Sequence, residues 1–164
     1  MTRIIMSGCS GAMGRTITDI VKEDPEAQIV AGIDVVDNGN TDYPIFSSIL
    51  DCDVEADAII DFSTPKILDD LLQYCQDKKL PIVLCTTGYS EEQLAKIEAS
   101  ADKVAILRSA NMSLGINTLM KLLQDAAKVL AAEGYDVEIV EKHHNQKLDA
   151  PSGTALALAD SMNE

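Results

Sequence analysis

The sequence has 164 residues, which at ~150 residues per domain points to one domain with little room for a second. Apolar residues make up 46% and aromatics only 4% with no Trp, so disorder is excluded and the core must be built from Ile, Leu, Val, Ala and Met. Lys and Arg number 13 against 27 Asp and Glu, and the net charge of −14 excludes a nucleic-acid or anionic-lipid surface, which needs clustered cations.

In chain order, Met1-Thr2-Arg3-Ile4-Ile5 enters a strand-like run at once, without the charged, apolar and cleavage regions of a signal peptide. No apolar run approaches the ~20 residues that cross a bilayer, and a cytoplasmic protein is expected. Residues 3–7 read as a buried strand, followed by a Gly-rich turn and a helix to about Lys22. A second strand is expected over 27–34, and Val35–Pro44, with Asn, Gly, Asp and Pro, reads as a loop. A third strand, 58–61, leads to Phe62-Ser63-Thr64-Pro65, where Thr64 is placed to cap a helix with Pro65 at its first position. A fourth strand over 81–85 meets the turn Thr86-Thr87-Gly88-Tyr89, and Ser90-Glu91-Glu92-Gln93 is a capping box for the next helix.

A fifth strand, 104–108, precedes a long helix over 114–133 with an apolar stripe. Residues 136–141 alternate as a strand, 142–151 form a loop, and Ser152 caps a last helix. This alternation predicts an α/β fold: a Rossmann-type parallel sheet with helices on both faces, plus the start of a second α+β domain for substrate and oligomerisation. The boundary is expected near Gly134, giving a dinucleotide-binding portion 1–134 and an incomplete portion 135–164. Cys9, Cys52, Cys75 and Cys85 contain no C-x-x-C pair and lie in apolar segments, which suits reduced core thiols.

Two stretches carry chemistry. The first turn, Ser7-Gly8-Cys9-Ser10-Gly11-Ala12-Met13-Gly14-Arg15, follows a strand and opens a helix. Glycines there let backbone approach a pyrophosphate at the helix N-terminus. Asp34 ends the second strand about 20 residues past Gly14, where an acid binds the adenosine ribose hydroxyls. An acid followed by Val35 and Val36 predicts NADH as preferred cofactor, with NADPH possible through the charge of Arg15. The later strand ends, Phe62-Ser63-Thr64, Cys85-Thr86-Thr87-Gly88 and Ser109-Ala110-Asn111-Met112, are expected to line the same crevice.

The second stretch is Glu138–Ala155, which holds both histidines, His143 and His144, with Lys147 three residues on. Ser152-Gly153-Thr154 offers backbone N–H groups and hydroxyls at a helix start, a ready anion pocket. With the cationic side chains beside it, this is a site for a dicarboxylate. No metal is expected, because adjacent side chains on an extended segment diverge and no third ligand has suitable spacing.

Glu141-Lys142-His143-His144-Asn145-Gln146-Lys147-Leu148-Asp149-Ala150-Pro151-Ser152-Gly153-Thr154-Ala155 resembles the signature of the 4-hydroxy-tetrahydrodipicolinate (dihydrodipicolinate) reductase family. The Gly8–Arg15 loop, Asp61-Phe62-Ser63, Thr86-Thr87-Gly88 and Ala110-Asn111 resemble it too, in order and spacing. The resemblance implies an NAD(P)H-dependent reduction of a cyclic imine dicarboxylate in diaminopimelate and lysine synthesis, by a homotetramer. By motif position it makes His143 and Lys147 proton donors, and His144, Gly153 and Thr154 ligands of the substrate carboxylates. It puts Gly8, Cys9, Ser10, Gly11, Ala12, Met13, Asp34, Cys85, Thr86, Thr87, Ser109, Ala110, Asn111 and Met112 at the cofactor. Cys85 stands where the family carries Gly, and Met112 where an aromatic is common. The family continues with further strands, so a chain ending at Glu164 is expected to be a piece of a longer protein. The competing expectation is a nucleotide-binding fragment or redox sensor without catalysis.

Overall fold

Ile4, Ile5 and Met6 are all buried, which a strand achieves only when both faces of its sheet are covered. They belong to β1 (Thr2–Ser7), which pairs in parallel with β2 (Ala27–Ile33) on one side and β4 (Ala58–Asp61) on the other. β3 (Ile45–Phe46) extends the sheet beyond β2, while β5 (Ile82–Leu84) and β6 (Ile106–Arg108) extend it beyond β4. The strand order is therefore β3-β2-β1-β4-β5-β6, all parallel. Connections leave β1 in opposite directions across the sheet, which opens a crevice at the carboxyl ends of β1 and β4. The structure is a computed structural model and describes residues 1–37, 39, 41–109, 111–147 and 150–163.

Side-chain alternation divides the core in two. Ile4 and Met6 of β1 pack with Ile29, Cys9 and Tyr43 beneath Ile17 and Val21 of α1 (Ala12–Glu23). Ile5 points the other way, joining Ala31, Ile59, Ile82 and Leu84 with Leu68, Leu71, Leu72 and Cys75 of α2 (Leu68–Lys78) and Ile97 of α3 (Glu91–Ala101). The end signals read from sequence are present. Thr64 accepts the Lys66 N–H at 3.1 Å, opening a short 3-10 turn with Pro65 before α2. Ser90 and Gln93 exchange both bonds of the capping box.

The chain forms two compact units, Met1–Arg108 and Ser109–Glu164. In the second, α4 (Leu114–Ala132) packs with α5 (Gly153–Asn163), and Ala127 is the buried residue of α4. α4 was expected to close the first unit at Gly134; it lies instead in the second, because its contacts are with α5. The strand expected over 136–141 is absent: that stretch has no ladder partner among the described residues and leaves Val137, Ile139 and Val140 exposed. Among the described residues no helix is long and apolar enough to cross a membrane. The four cysteines are buried free thiols.

Candidate functional site

β1 delivers Gly8 at φ +79°, where a Cβ would overlap the Phe62 carbonyl oxygen at the end of β4. Gly14 is equally confined: a Cβ there would overlap the Gly8 oxygen and lie 2.6 Å from Cys9 Cα. These two glycines let the loop pass between two strand ends. Gly11, whose N–H donates to the Gly8 oxygen at 3.1 Å, is the N-cap of α1 and supplies no capping side chain. The first-turn N–H groups of α1 therefore lack a side-chain cap and have no intrahelical acceptor. Ala12 and Met13, on that first turn, are exposed.

Asp34 lies just past β2, and its carboxylate accepts the Ser10 N–H at 3.0 Å and the Val36 N–H at 3.1 Å. The Ser10 hydroxyl donates to the Val36 oxygen, and Arg15 Nη1 donates to the Ser10 oxygen at 2.6 Å. Loop and acid are thus tied together, with each Asp34 oxygen retaining acceptor capacity. Beside them opens a cleft of about 400 Å³, lined by Gly8, Gly11, Asp34, Ile49, Ile67 and Asp70 among others. Small-molecule sites of roughly 300–1,000 Å³ combine apolar walls with a few fixed polar groups, and this cleft is of that size and kind. Ile49, Ile67 and Asp70 were not read from the sequence, where nothing distinguishes them from core and helix residues.

Deeper at the same edge, the fully buried Asp61 accepts hydroxyl protons from Ser7 at 2.7 Å, Ser63 at 2.5 Å and Thr86 at 2.7 Å. The Thr86 hydroxyl in turn accepts the Ser63 N–H at 2.9 Å. Thr86 is consequently turned inward, while Thr87 and Gly88 are exposed. Burial first, then the Asp61 charge, pushes the Cys85 thiol up to about 11, and burial also raises Cys9. Both are packing groups rather than nucleophiles.

In the second unit, Ser109 and Met112 flank a turn in which the Ser109 hydroxyl donates to the Asn111 oxygen at 2.9 Å; Ala110 lies outside the described residues. Asn111 Oδ1 accepts the Ser113 N–H at 2.8 Å, and its Nδ2 donates to Thr154 Oγ1 at 3.0 Å. A residue expected at the cofactor is thereby bonded to one expected at the substrate. Met112 is half exposed. Ser152 caps α5, its hydroxyl accepting the Ala155 N–H at 3.1 Å, and its own N–H donates to Glu141 Oε1 at 2.8 Å. Gly153 and Thr154 open the helix directly after it.

The other Glu141 oxygen, Oε2, lies 3.4 Å from His143 Nδ1. Hydrogen bonding from Ser152, helped by the charges of His143 and Lys147 and opposed by burial, holds the Glu141 carboxyl below the usual glutamate value. His144 Nδ1 accepts the Gln146 N–H at 3.2 Å, and the Lys147 N–H donates to the His144 oxygen at 3.2 Å. Leu148 and Asp149 of the same motif lie outside the described residues. The second unit thus brings His143, His144 and Lys147 onto one loop that Glu141 fastens to the start of α5.

Comparison with known families matches residues 2–112 to the profile described as dihydrodipicolinate reductase, N-terminus, and residues 115–164 to dihydrodipicolinate reductase, C-terminus. The chain belongs to the dihydrodipicolinate reductase family. Among its relatives, the 4-hydroxy-tetrahydrodipicolinate reductase of Clostridium novyi (strain NT) is 52% identical over 164 residues, all of this chain and 65% of the relative. That of Clostridium tetani (strain Massachusetts / E88) is 51% identical, covering 100% of this chain and 64% of the relative. The chain spans about 65% of the length of these curated relatives. A solved dihydrodipicolinate reductase from Paenisporosarcina sp. TG-14, with dipicolinate bound, aligns at TM-score 0.77 and 30% identity, over 99% of this chain and 65% of that one. The WlbA dehydrogenase from Chromobactrium violaceum aligns at TM-score 0.60 and 15% identity, over 78% of this chain and 40% of that one, a likeness of fold alone. The resemblance and the parallel α/β sheet read from sequence are borne out.

Proposed function

We propose that this dihydrodipicolinate reductase family chain acts in the NAD(P)H-dependent reduction of 4-hydroxy-tetrahydrodipicolinate to tetrahydrodipicolinate, with loss of water, in diaminopimelate and lysine synthesis. The observation that carries this reading is the loop of His143, His144 and Lys147 fastened through Glu141 to the anion-accepting start of α5. A cyclic dicarboxylate needs donors for two carboxylates and an acid for its ring, and this loop supplies both. The dicarboxylate named with the Paenisporosarcina relative is of the same class.

The α1 N-terminus, Gly8, Gly11 and Asp34 would hold the dinucleotide, whose reduced nicotinamide supplies a hydride when bound. Cys9, Ser10, Ala12, Met13, Cys85, Thr86, Thr87, Ser109, Asn111 and Met112 complete the proposed cofactor set, largely through backbone. The 4-hydroxyl and a proton from the ring carbon beside the imine leave together as water, giving a conjugated imine; on hydride addition at its carbon 4, electron density moves toward the ring nitrogen. His143 donates the proton that quenches it, a step worth ~10²–10⁴-fold in rate. Lys147 stabilises the same charge and is a second proton donor. His144, Ser152, Gly153 and Thr154 hold the carboxylates. The activity is placed in the cytoplasm and in a homotetramer.

His143→Ala and Lys147→Ala should each lower kcat by roughly 10²-fold or more while leaving NADH affinity nearly intact. Near-normal turnover in either variant removes the assignment. Asp34, its carboxylate aimed by two N–H groups, repels a 2′-phosphate, so NADH is the preferred cofactor. A higher kcat/KM with NADPH in steady-state kinetics would contradict this.

A further inference from the structure

His143 and His144 are adjacent, yet their rings face opposite kinds of group. His143 Nδ1 lies 3.4 Å from Glu141 Oε2, an oxygen sealed from solvent that has no hydrogen-bond partner among the described residues. His144 Nδ1 accepts the Gln146 N–H at 3.2 Å. An ionised carboxylate oxygen offers only lone pairs, so the nitrogen facing it must carry a proton. A backbone N–H offers only a proton, so the nitrogen facing it must be bare. We propose that Glu141 is a positioning residue for His143, and that the two histidines are held in opposite neutral tautomers, His143 protonated on Nδ1 and His144 on Nε2.

Glu141 is suited to this because it cannot swing away freely. Its Oε1 accepts the Ser152 N–H at 2.8 Å, and Ser152 itself caps α5. Rotating the carboxylate would leave a helix-start N–H unpaired, a loss of order 1–3 kcal/mol when that group is buried. A sealed acceptor without a bond is also a standing cost, which the His143 ring removes by approaching a few tenths of an ångström. The carboxylate is kept ionised by Ser152, His143 and Lys147 together.

The inference deepens the proposed reaction and rests on His143 being its acid. An imidazolium that gives up its Nε2 proton keeps the N–H electron pair on Nε2, the proton bonds to the reduced ring, and the Nδ1–H tautomer remains. Glu141 accepts from that tautomer, so the acid and its conjugate base are held in one orientation. The orienting carboxylate of a serine-protease triad fixes its histidine by the same logic. His144, with Nε2–H outward, is left as a neutral donor suited to a carboxylate oxygen.

Nitrogen-15 NMR of the imidazoles tests this on the chain itself, which has only two histidines. In solution alkaline enough to deprotonate imidazole, the wild type should show one ring protonated at Nδ1 and one at Nε2. Glu141→Ala should shift His143 alone toward the Nε2–H form. Glu141→Gln, whose amide oxygen can still accept, should restore Nδ1–H. Helix capping alone would leave the His143 tautomer unmoved by either change. Two Nε2–H rings in the wild type, or an unaltered His143 in Glu141→Ala, overturns the proposal. The wild-type spectrum decides even if a variant fails to fold. Loss of the reductase reading would show as absent turnover with the tautomers unchanged.

Discussion

Alanine at position 8 meets two obstacles at once. The backbone there is left-handed at φ +79°, and the added methyl would occupy the place of the Phe62 carbonyl oxygen. Left-handed geometry costs an L-residue ~1–2 kcal/mol, and forced repacking adds ~1–3 kcal/mol. Gly8→Ala should therefore destabilise the protein by about 2–5 kcal/mol in urea melts and weaken NADH binding at the α1 N-terminus. A wild-type midpoint with wild-type affinity would show that the loop has another route past β4. This glycine was legible in the sequence because turn chemistry is local. The hub at Asp61 was not: its hydroxyl partners Ser7 and Thr86 are 54 and 25 residues away in the chain.

At the level of elements, local signals and pairing contribute differently. Thr64, Ser90 and Ser152 all cap where the sequence placed them, since a cap needs only its own next three residues. β3 was invisible, because two residues become a strand only by pairing with β2. The alternation over 136–141 misled for the same reason: a period of two needs a neighbouring strand to become a sheet. One pairing between elements is pH-dependent. Arg3 of β1 holds Asp57, just before β4: its backbone N–H and its Nη2 each donate to the Asp57 carboxylate at 2.8 Å. Those hydrogen bonds lower the Asp57 carboxyl from 3.8 to about 2. A depressed acid contributes stability above its unfolded value that vanishes as pH falls through the folded one. Wild type should thus exceed Asp57→Asn in thermal melts at about pH 5, with the difference closing as pH falls from about 4 to 2. A difference that holds constant across that range would place the effect elsewhere than in this carboxylate.

For the molecule as a whole, buried residues are unevenly shared. Ile5, Ile59, Leu71, Ile82 and Leu84, each at most 1% exposed, all belong to the first unit. The second unit buries Ala127, Ser152 and Ala155 among its described residues. Protection against local opening follows apolar burial, so the slowest amides in hydrogen exchange should lie in β1, β4 and β5, with α4 and α5 exchanging earlier. Equal protection in both units would contradict this distribution. The sequence placed the division after α4, since an amphipathic stripe shows that a helix packs without showing on what.

The arrangement around Asp61 also sets a direction. Because the Asp61 oxygens receive all three bonds, the O–H bonds of Ser7, Ser63 and Thr86 all aim inward, and the lone pairs of Thr86 are left for the Ser63 amide. An asparagine in that place would present an NH₂ to one of these oxygens and oblige it to reverse its hydrogen. That reversal would propagate to the next turn, so the ends of three strands are oriented by a single side chain and cannot be re-tuned one by one.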